Sequence, residues 1–111
     1  MNAFDILADP VRRRILELLS EGERTAGEIT AVVRDEFGIS QPAVSNQLRV
    51  LRDSGFAAGE RRGSHRRYAL HDEALREVTE WVDRYRGFWS NRLDALDTEI
   101  ARGARVGGDR A

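Results

Sequence analysis

The stretch from Thr25 to Gly55 constrains this chain more than any other. Two helical patterns lie in it, joined by a few residues. Thr25-Ala-Gly-Glu28 has the form of a capping box, in which each end residue satisfies an orphan backbone N–H. It predicts a helix from about Ala26, with Ile29, Val32, Val33 and Phe37 facing inward. Gly38 stops that helix, Ile39 anchors the turn and Ser40 can cap the next, with Pro42 tolerated in its first turn. Val44, Leu48 and Leu51 then recur at i, i+4 and i+7, and Gly55 follows as a C-terminal stop. Helix, tight glycine turn and helix together make the signature of a helix-turn-helix.

The outer face of the second helix carries the chemistry. Gln41, Ala43, Ser45, Asn46 and Gln47 are small or short polar residues, and no acid appears until Asp53. Gln and Asn can pair bidentately with adenine, while Ser and Ala allow close approach to bases and thymine methyls. These five are the expected base-reading residues. An ordinary amphipathic helix also has a polar outer face, so the flanks must decide.

After Gly55 the period changes to two. Tyr68 and Leu70 alternate with Arg67 and Ala69, and Gly63-Ser64 supplies a turn, which predicts strands near 56–61 and 66–70. A hairpin directly after a recognition helix is a wing. A solubilised edge hairpin would also carry charge, but its usual device is Lys or mixed charge. Here Arg61, Arg62, Arg66 and Arg67 cluster beside the helix. With Ser40, Arg49, Arg52 and His65 they are the expected phosphate-binding set.

Net charge looks wrong for such a partner, at −1 over 111 residues. Divided by segment, it does not. Residues 41–67 hold six arginines against Asp53 and Glu60, whereas acids outnumber arginines in residues 72–102. Local field matters more than net charge for binding phosphate.

The ends of the chain suggest a second surface. Residues 2–8 read as a short helix with Phe4, Ile6 and Leu7. Asp9 caps a helix with Pro10 at its first position and Val11, Ile15, Leu18 and Leu19 at helical spacing, ended by Gly22. Arg12, Arg13 and Arg14 fall in its first turn, where cations oppose the macrodipole; a solvated face is the ordinary reading, and a phosphate or dimer contact is the rarer one. Asp72 is expected to cap one long helix over about 73–102, with Gly87 as a weak point. Its stripe of Tyr85, Phe88, Trp89, Leu93 and Leu96 exceeds what one small domain can cover, so a second copy is expected against it, aided by Phe4 and Leu7. Residues 103–111 read as a flexible tail.

Several functions find no support. There is no cysteine, hence no disulfide or thiolate metal site. His65 and His71 have no second imidazole at i+4, so no metal site and no cofactor are expected. Glu73/Glu77 and Asp94/Asp97 are carboxylate pairs without a nucleophile or phosphate loop, which argues against an enzyme. No apolar run is long enough to span a membrane and no secretory signal is visible, so cytoplasmic location without a membrane partner is expected.

The segments Phe4-Asp-Ile-Leu-Ala-Asp-Pro-Val-Arg-Arg-Arg-Ile-Leu-Glu-Leu-Leu19, Gly38-Ile-Ser-Gln-Pro-Ala-Val-Ser-Asn-Gln-Leu-Arg-Val-Leu51 and Gly63-Ser-His-Arg-Arg-Tyr-Ala-Leu70 resemble the ArsR/SmtB family of bacterial repressors. The resemblance covers about residues 3–100. It implies a homodimeric winged helix-turn-helix that binds palindromic operator DNA, with terminal and first helices at the dimer interface. The Phe88-Trp89 and Arg92-Leu-Asp-Ala-Leu96 segments are similar to a branch without metal sites. Two departures stand out. Many members have His where Gln47 stands, and Thr30-Ala-Val-Val-Arg-Asp-Glu36 makes the third helix about one turn longer than usual.

The expectation is therefore a mainly α fold with a β-hairpin: a winged helix-turn-helix over residues 1–102 with a long C-terminal dimerisation helix. The expected function is a sequence-specific, homodimeric repressor on double-stranded operator DNA; a small-molecule inducer is not identified by any residue. The competing reading is a winged-helix module that docks another protein, which loss of basic residues from the wing would favour.

Overall fold

Short-range capping sets most element boundaries. The computed structural model describes residues 2–109. Its elements are α1 (Ala3–Leu7), α2 (Pro10–Ser20), β1 (Arg24–Thr25), α3 (Ala26–Phe37), α4 (Gln41–Asp53), β2 (Ala57–Arg62), β3 (His65–Leu70), α5 (Asp72–Arg84) and α6 (Arg86–Asp109). Asp9 Oδ1 accepts from the backbone N–H of Val11 at 2.8 Å and of Arg12 at 3.1 Å. The Thr25–Glu28 box is reciprocal. Ser40 Oγ accepts from Ala43 N at 3.3 Å, opening α4. Between α3 and α4, Gly38 adopts φ 64°, a left-handed conformation that glycine takes without a Cβ penalty.

The residues through Val78 form one compact unit. Its core joins Ile15, Leu18 and Leu19 of α2, Ile29 and Val33 of α3, and Val44, Leu48 and Leu51 of α4 with Phe56 and Tyr68. Burying each large aliphatic or aromatic side chain contributes about 1.5–3 kcal/mol, so the apolar stripes of α2, α3 and α4 hold the helix-turn-helix in place. Phe37 is a correction. Expected on the inward face, it is 37% exposed, because the buried stripe of α3 ends at Val33, one turn earlier.

The hairpin stays within one residue of the expected strand limits. Its strands meet at the expected turn, pairing Arg62 with His65 around Gly63-Ser64. Gly59 lies opposite Tyr68, where a Cβ would approach the ring Cε1 to 3.0 Å. The two-residue strand β1 was not foreseen. It pairs Arg24 with Tyr68 and Thr25 with Arg67, giving the sheet order β1-β3-β2. Two residues are too few to show a period of two.

The single terminal helix expected over 73–102 is two helices. Tyr85 N donates to Val82 O at 3.1 Å, an i to i−3 bond, and α6 starts at Arg86. Such a tightened turn interrupts an α-helix, and the glycine at 87 weakens the helix just beyond it. Asp72 is the first helical residue, not the cap. The capping acceptor is His71 Nδ1, which takes the N–H of Glu73 at 3.3 Å. Helix α6 runs to Asp109, so residues 103–109 are helical where a tail was expected; residues 110 and 111 lie outside the described residues.

Residues from Thr79 onward form the second unit. Within it the aromatic rings associate: Trp81 and Tyr85 at 5.0 Å between centroids, Phe88 and Trp89 edge-on at 5.1 Å. The Arg92 guanidinium lies 5.0 Å from the Phe88 centroid, a cation–π distance.

Candidate nucleic-acid interface

Helix α4 buries Val44, Leu48 and Leu51, and that choice of inner face decides what the other face shows. Gln41, Pro42, Ser45, Asn46 and Arg49 are exposed, while Ala43 and Gln47 are half-buried on its flank. Pro42, Ser45, Asn46, Arg49 and Arg52 line a shallow groove with Arg66 and Tyr68 of β3. Three guanidinium groups therefore stand around the short polar residues of one helix.

Register splits the wing arginines into two pairs. Directly opposed residues of an antiparallel pair share a face, and faces alternate along each strand. Arg61 is opposite Arg66, on the face of the Gly59–Tyr68 pair, which is the face toward the groove. Arg62 is opposite His65 and Arg67 is opposite Glu60, on the other face. That second face carries acids as well. Arg62 makes ion pairs with Glu23 at 3.4 Å and Glu60 at 3.3 Å. Hydrogen bonds from Thr25 hold the Glu28 carboxyl below its ordinary range, with smaller contributions from the charges of Arg24 and Arg67. Among the described residues, Arg61 and Arg66 make no salt bridge.

Two expected base readers already have partners. Arg49 Nη2 donates to Asn46 Oδ1. Gln47 Oε1 accepts from Arg12 Nη1 at 3.0 Å, and Arg12 lies 35 residues away on α2. The same guanidinium donates to Ile6 O at 2.8 Å and Asp5 O at 3.1 Å. Arg13 donates to Leu7 O at 2.7 Å and Ala8 O at 3.1 Å. Arg12 and Arg13 thus serve the C-terminal carbonyls of α1, where cations are favoured. Arg12, expected on a solvated face, is half-buried and bonded to α1 and α4 instead. Its signal was an arginine run in the first turn of α2, where the macrodipole of α2 itself offers it nothing.

Arg14 completes the run differently. Its Nε and Nη2 donate to the two carboxylate oxygens of Glu36, at 2.8 and 2.9 Å. This bidentate bond holds the Glu36 carboxyl below its ordinary range and raises the Arg14 guanidinium above its own. It ties α2 to the last turn of α3.

Of the expected dimer residues, Phe4 is exposed and Leu7 half-buried in the first unit. Leu7 lines an apolar cleft with Leu16, Leu70 and Leu75. Tyr85, Phe88, Trp89, Leu93 and Leu96 are 40–58% exposed in the second unit. Among the described residues, no group of three His, Cys, Asp or Glu is placed to hold a metal ion, and no helix is long and apolar enough to cross a membrane.

Comparison with known proteins identifies the family. Residues 9–58 match the family model for bacterial regulatory proteins of the arsR family. The chain is 35% identical over 81 residues to the transcriptional repressor SdpR of Bacillus subtilis (strain 168), covering 73% of this chain and 86% of that one. The chain belongs to the ArsR family. A crystal structure of an ArsR family transcriptional regulator superposes with a TM-score of 0.66 at 30% identity, covering 79% of this chain and 87% of the other. The fold is also that of a homodimeric winged helix-turn-helix DNA-binding domain from Mycobacterium bovis, with a TM-score of 0.57 at 24% identity, covering 75% of this chain and 76% of that one. This ArsR-family protein is a winged helix-turn-helix transcriptional regulator and not an enzyme.

Proposed function

We propose that the protein represses transcription as a homodimer on a palindromic operator. The observation that carries this reading is the groove where the acid-free face of α4 meets Arg49, Arg52 and Arg66. Helix α4 enters the major groove. Gln41, Ser45, Asn46 and Gln47 read base edges, with Ala43 allowing close approach. Ser40, Arg49, Arg52, Arg61 and Arg66 contact phosphates; Arg62, His65 and Arg67, on the far face of the wing, contribute less.

The dimer forms through α1 and the terminal helices. Phe88 is 51% exposed, Leu93 58% and Leu96 51%, on one helix. A contiguous apolar patch of that kind is covered by association, and a two-fold axis lets one patch cover its own copy. The same axis sets two α4 helices about 34 Å apart, one turn of DNA. A dimer seated on a promoter excludes polymerase. A protein of this kind acts in the cytoplasm, where its operator is.

The test is selection from a random DNA pool with the full chain, followed by gel-shift titration. Enrichment of an inverted repeat with half-sites one turn apart is expected. Enrichment of single half-sites, or of nothing, overturns the reading.

A further inference from the structure

We propose that Arg12 is a positioning residue for base reading: it turns the Oε1 of Gln47 inward, so that Gln47 offers DNA only its amide hydrogens. The inference rests on the DNA-binding reading and deepens it.

A guanidinium only donates, so the Gln47 atom facing Arg12 Nη1 at 3.0 Å must be the carbonyl oxygen. The Nε2 group, with two hydrogens, is then directed away from Arg12. Adenine is read bidentately by an amide that donates to N7 and accepts from N6–H. A Gln whose oxygen is turned toward Arg12 cannot aim both atoms at that edge. Its remaining hydrogens suit an edge with no donor beside the acceptor, guanine O6 and N7 or thymine O4, over adenine, whose N7 lies next to the N6–H2 donor.

The geometry is held from both sides. Arg12 cannot swing away freely, because its Nε and Nη2 are engaged by the carbonyls of Ile6 and Asp5. Both carbonyls lie at the end of α1, where helix carbonyls run short of intrahelical donors, although Asp5 O also accepts from Ala8 N at 3.3 Å. Gln47 is half-buried on α4, on the same turn as Val44 and Leu48, which the core holds. One planar fork therefore sets both the end of α1 and the orientation of a side chain on the recognition helix. Lysine, a single rotatable point charge, cannot hold three acceptors in that arrangement.

The experiment compares base-preference profiles, position by position, for the full-length wild type, Arg12→Lys, Arg12→Ala, Gln47→Ala and the Arg12→Ala/Gln47→Ala double variant. Circular dichroism checks that each is folded; Arg12→Lys keeps the charge, should Arg12→Ala not fold. The wild type should prefer guanine or thymine at one position of each half-site, and the profile itself separates these two. Both Arg12 variants and Gln47→Ala should lose about fivefold or more of that preference, at the same position. The double variant should lose no more than the worse single variant there. If the wild type is selective but the Arg12 variants weaken all sequences equally with an unchanged profile, Arg12 only braces α1 and the inference fails while the DNA-binding reading stands. Adenine at the Gln47-dependent position also overturns it. A wild type that selects no sequence removes the DNA-binding reading, and this inference with it.

Discussion

Arg61 stands directly opposite Arg66 across the β2–β3 ladder, like charge facing like charge on the α4 side of the wing. Opposed like charges destabilise a strand pair by a few tenths to about 1 kcal/mol. Two acids lie on the other face of the same sheet region, where they pair with Arg62. On the proposed reading, DNA phosphates offset this repulsion.

Affinity and stability should therefore move in opposite directions at this pair. Arg66→Gln should raise the stability of the free protein by up to about 1 kcal/mol. Arg61→Gln with Arg66→Gln should flatten the dependence of log affinity on log salt by about 0.9 for each phosphate left without its arginine. Arg62→Gln with Arg67→Gln should change the slope less. Equal slope changes for the two pairs would show that the sidedness of the wing does not matter to DNA.

The exposed face of α6 is the next point of attack. Trp89→Glu with Leu93→Glu places negative charge on both sides of the proposed two-fold interface. Sedimentation should show a monomer, and gel shifts should show loss of operator binding. A monomeric wild type at micromolar concentration that still binds a palindrome tightly would rule out the dimer.

Glu36 gives a prediction in acid. Its folded carboxyl lies below its ordinary range because Arg14 hydrogen-bonds it. A depressed carboxyl contributes stability that is fully present above its unfolded pKa, about 4.3, and lost as pH falls through the folded value. Between about pH 5 and 3 the wild type should lose stability more steeply than Glu36→Gln. Parallel urea-unfolding curves across that window would contradict the linkage.

Phe56 is fully buried where α4 hands over to the wing, and its N–H donates to Leu51 O at 2.9 Å. Phe56→Ala should destabilise the protein by about 3–5 kcal/mol, read by thermal or chemical unfolding. A cost below about 1 kcal/mol would mean that the core collapses around the gap.

Much of the geometry of the candidate interface was legible in the residues alone. Ser40, Pro42 and the Val44–Leu48–Leu51 stripe place α4 and choose its outer face from neighbours within one or two turns. Gly63-Ser64 fixes the hairpin register, and with it the alternation that separates Arg61 and Arg66 from Arg62 and Arg67. That division could have been read from the sequence, yet all four were expected to act alike.

By itself, the sequence determined caps, glycine turns and periods, because each is settled by atoms a few residues apart. Tertiary structure alone decided that β1 exists, since two residues become a strand only when β3 lies alongside. It decided that Phe37 stays exposed, because the buried stripe of α3 ends at Val33. It also brought Arg12 to Gln47 across 35 residues and Arg14 to Glu36 across 22. Such pairings carry no local pattern: a guanidinium finds whichever acceptor the packed core sets within reach, and the position of that acceptor is fixed only after the helices have docked.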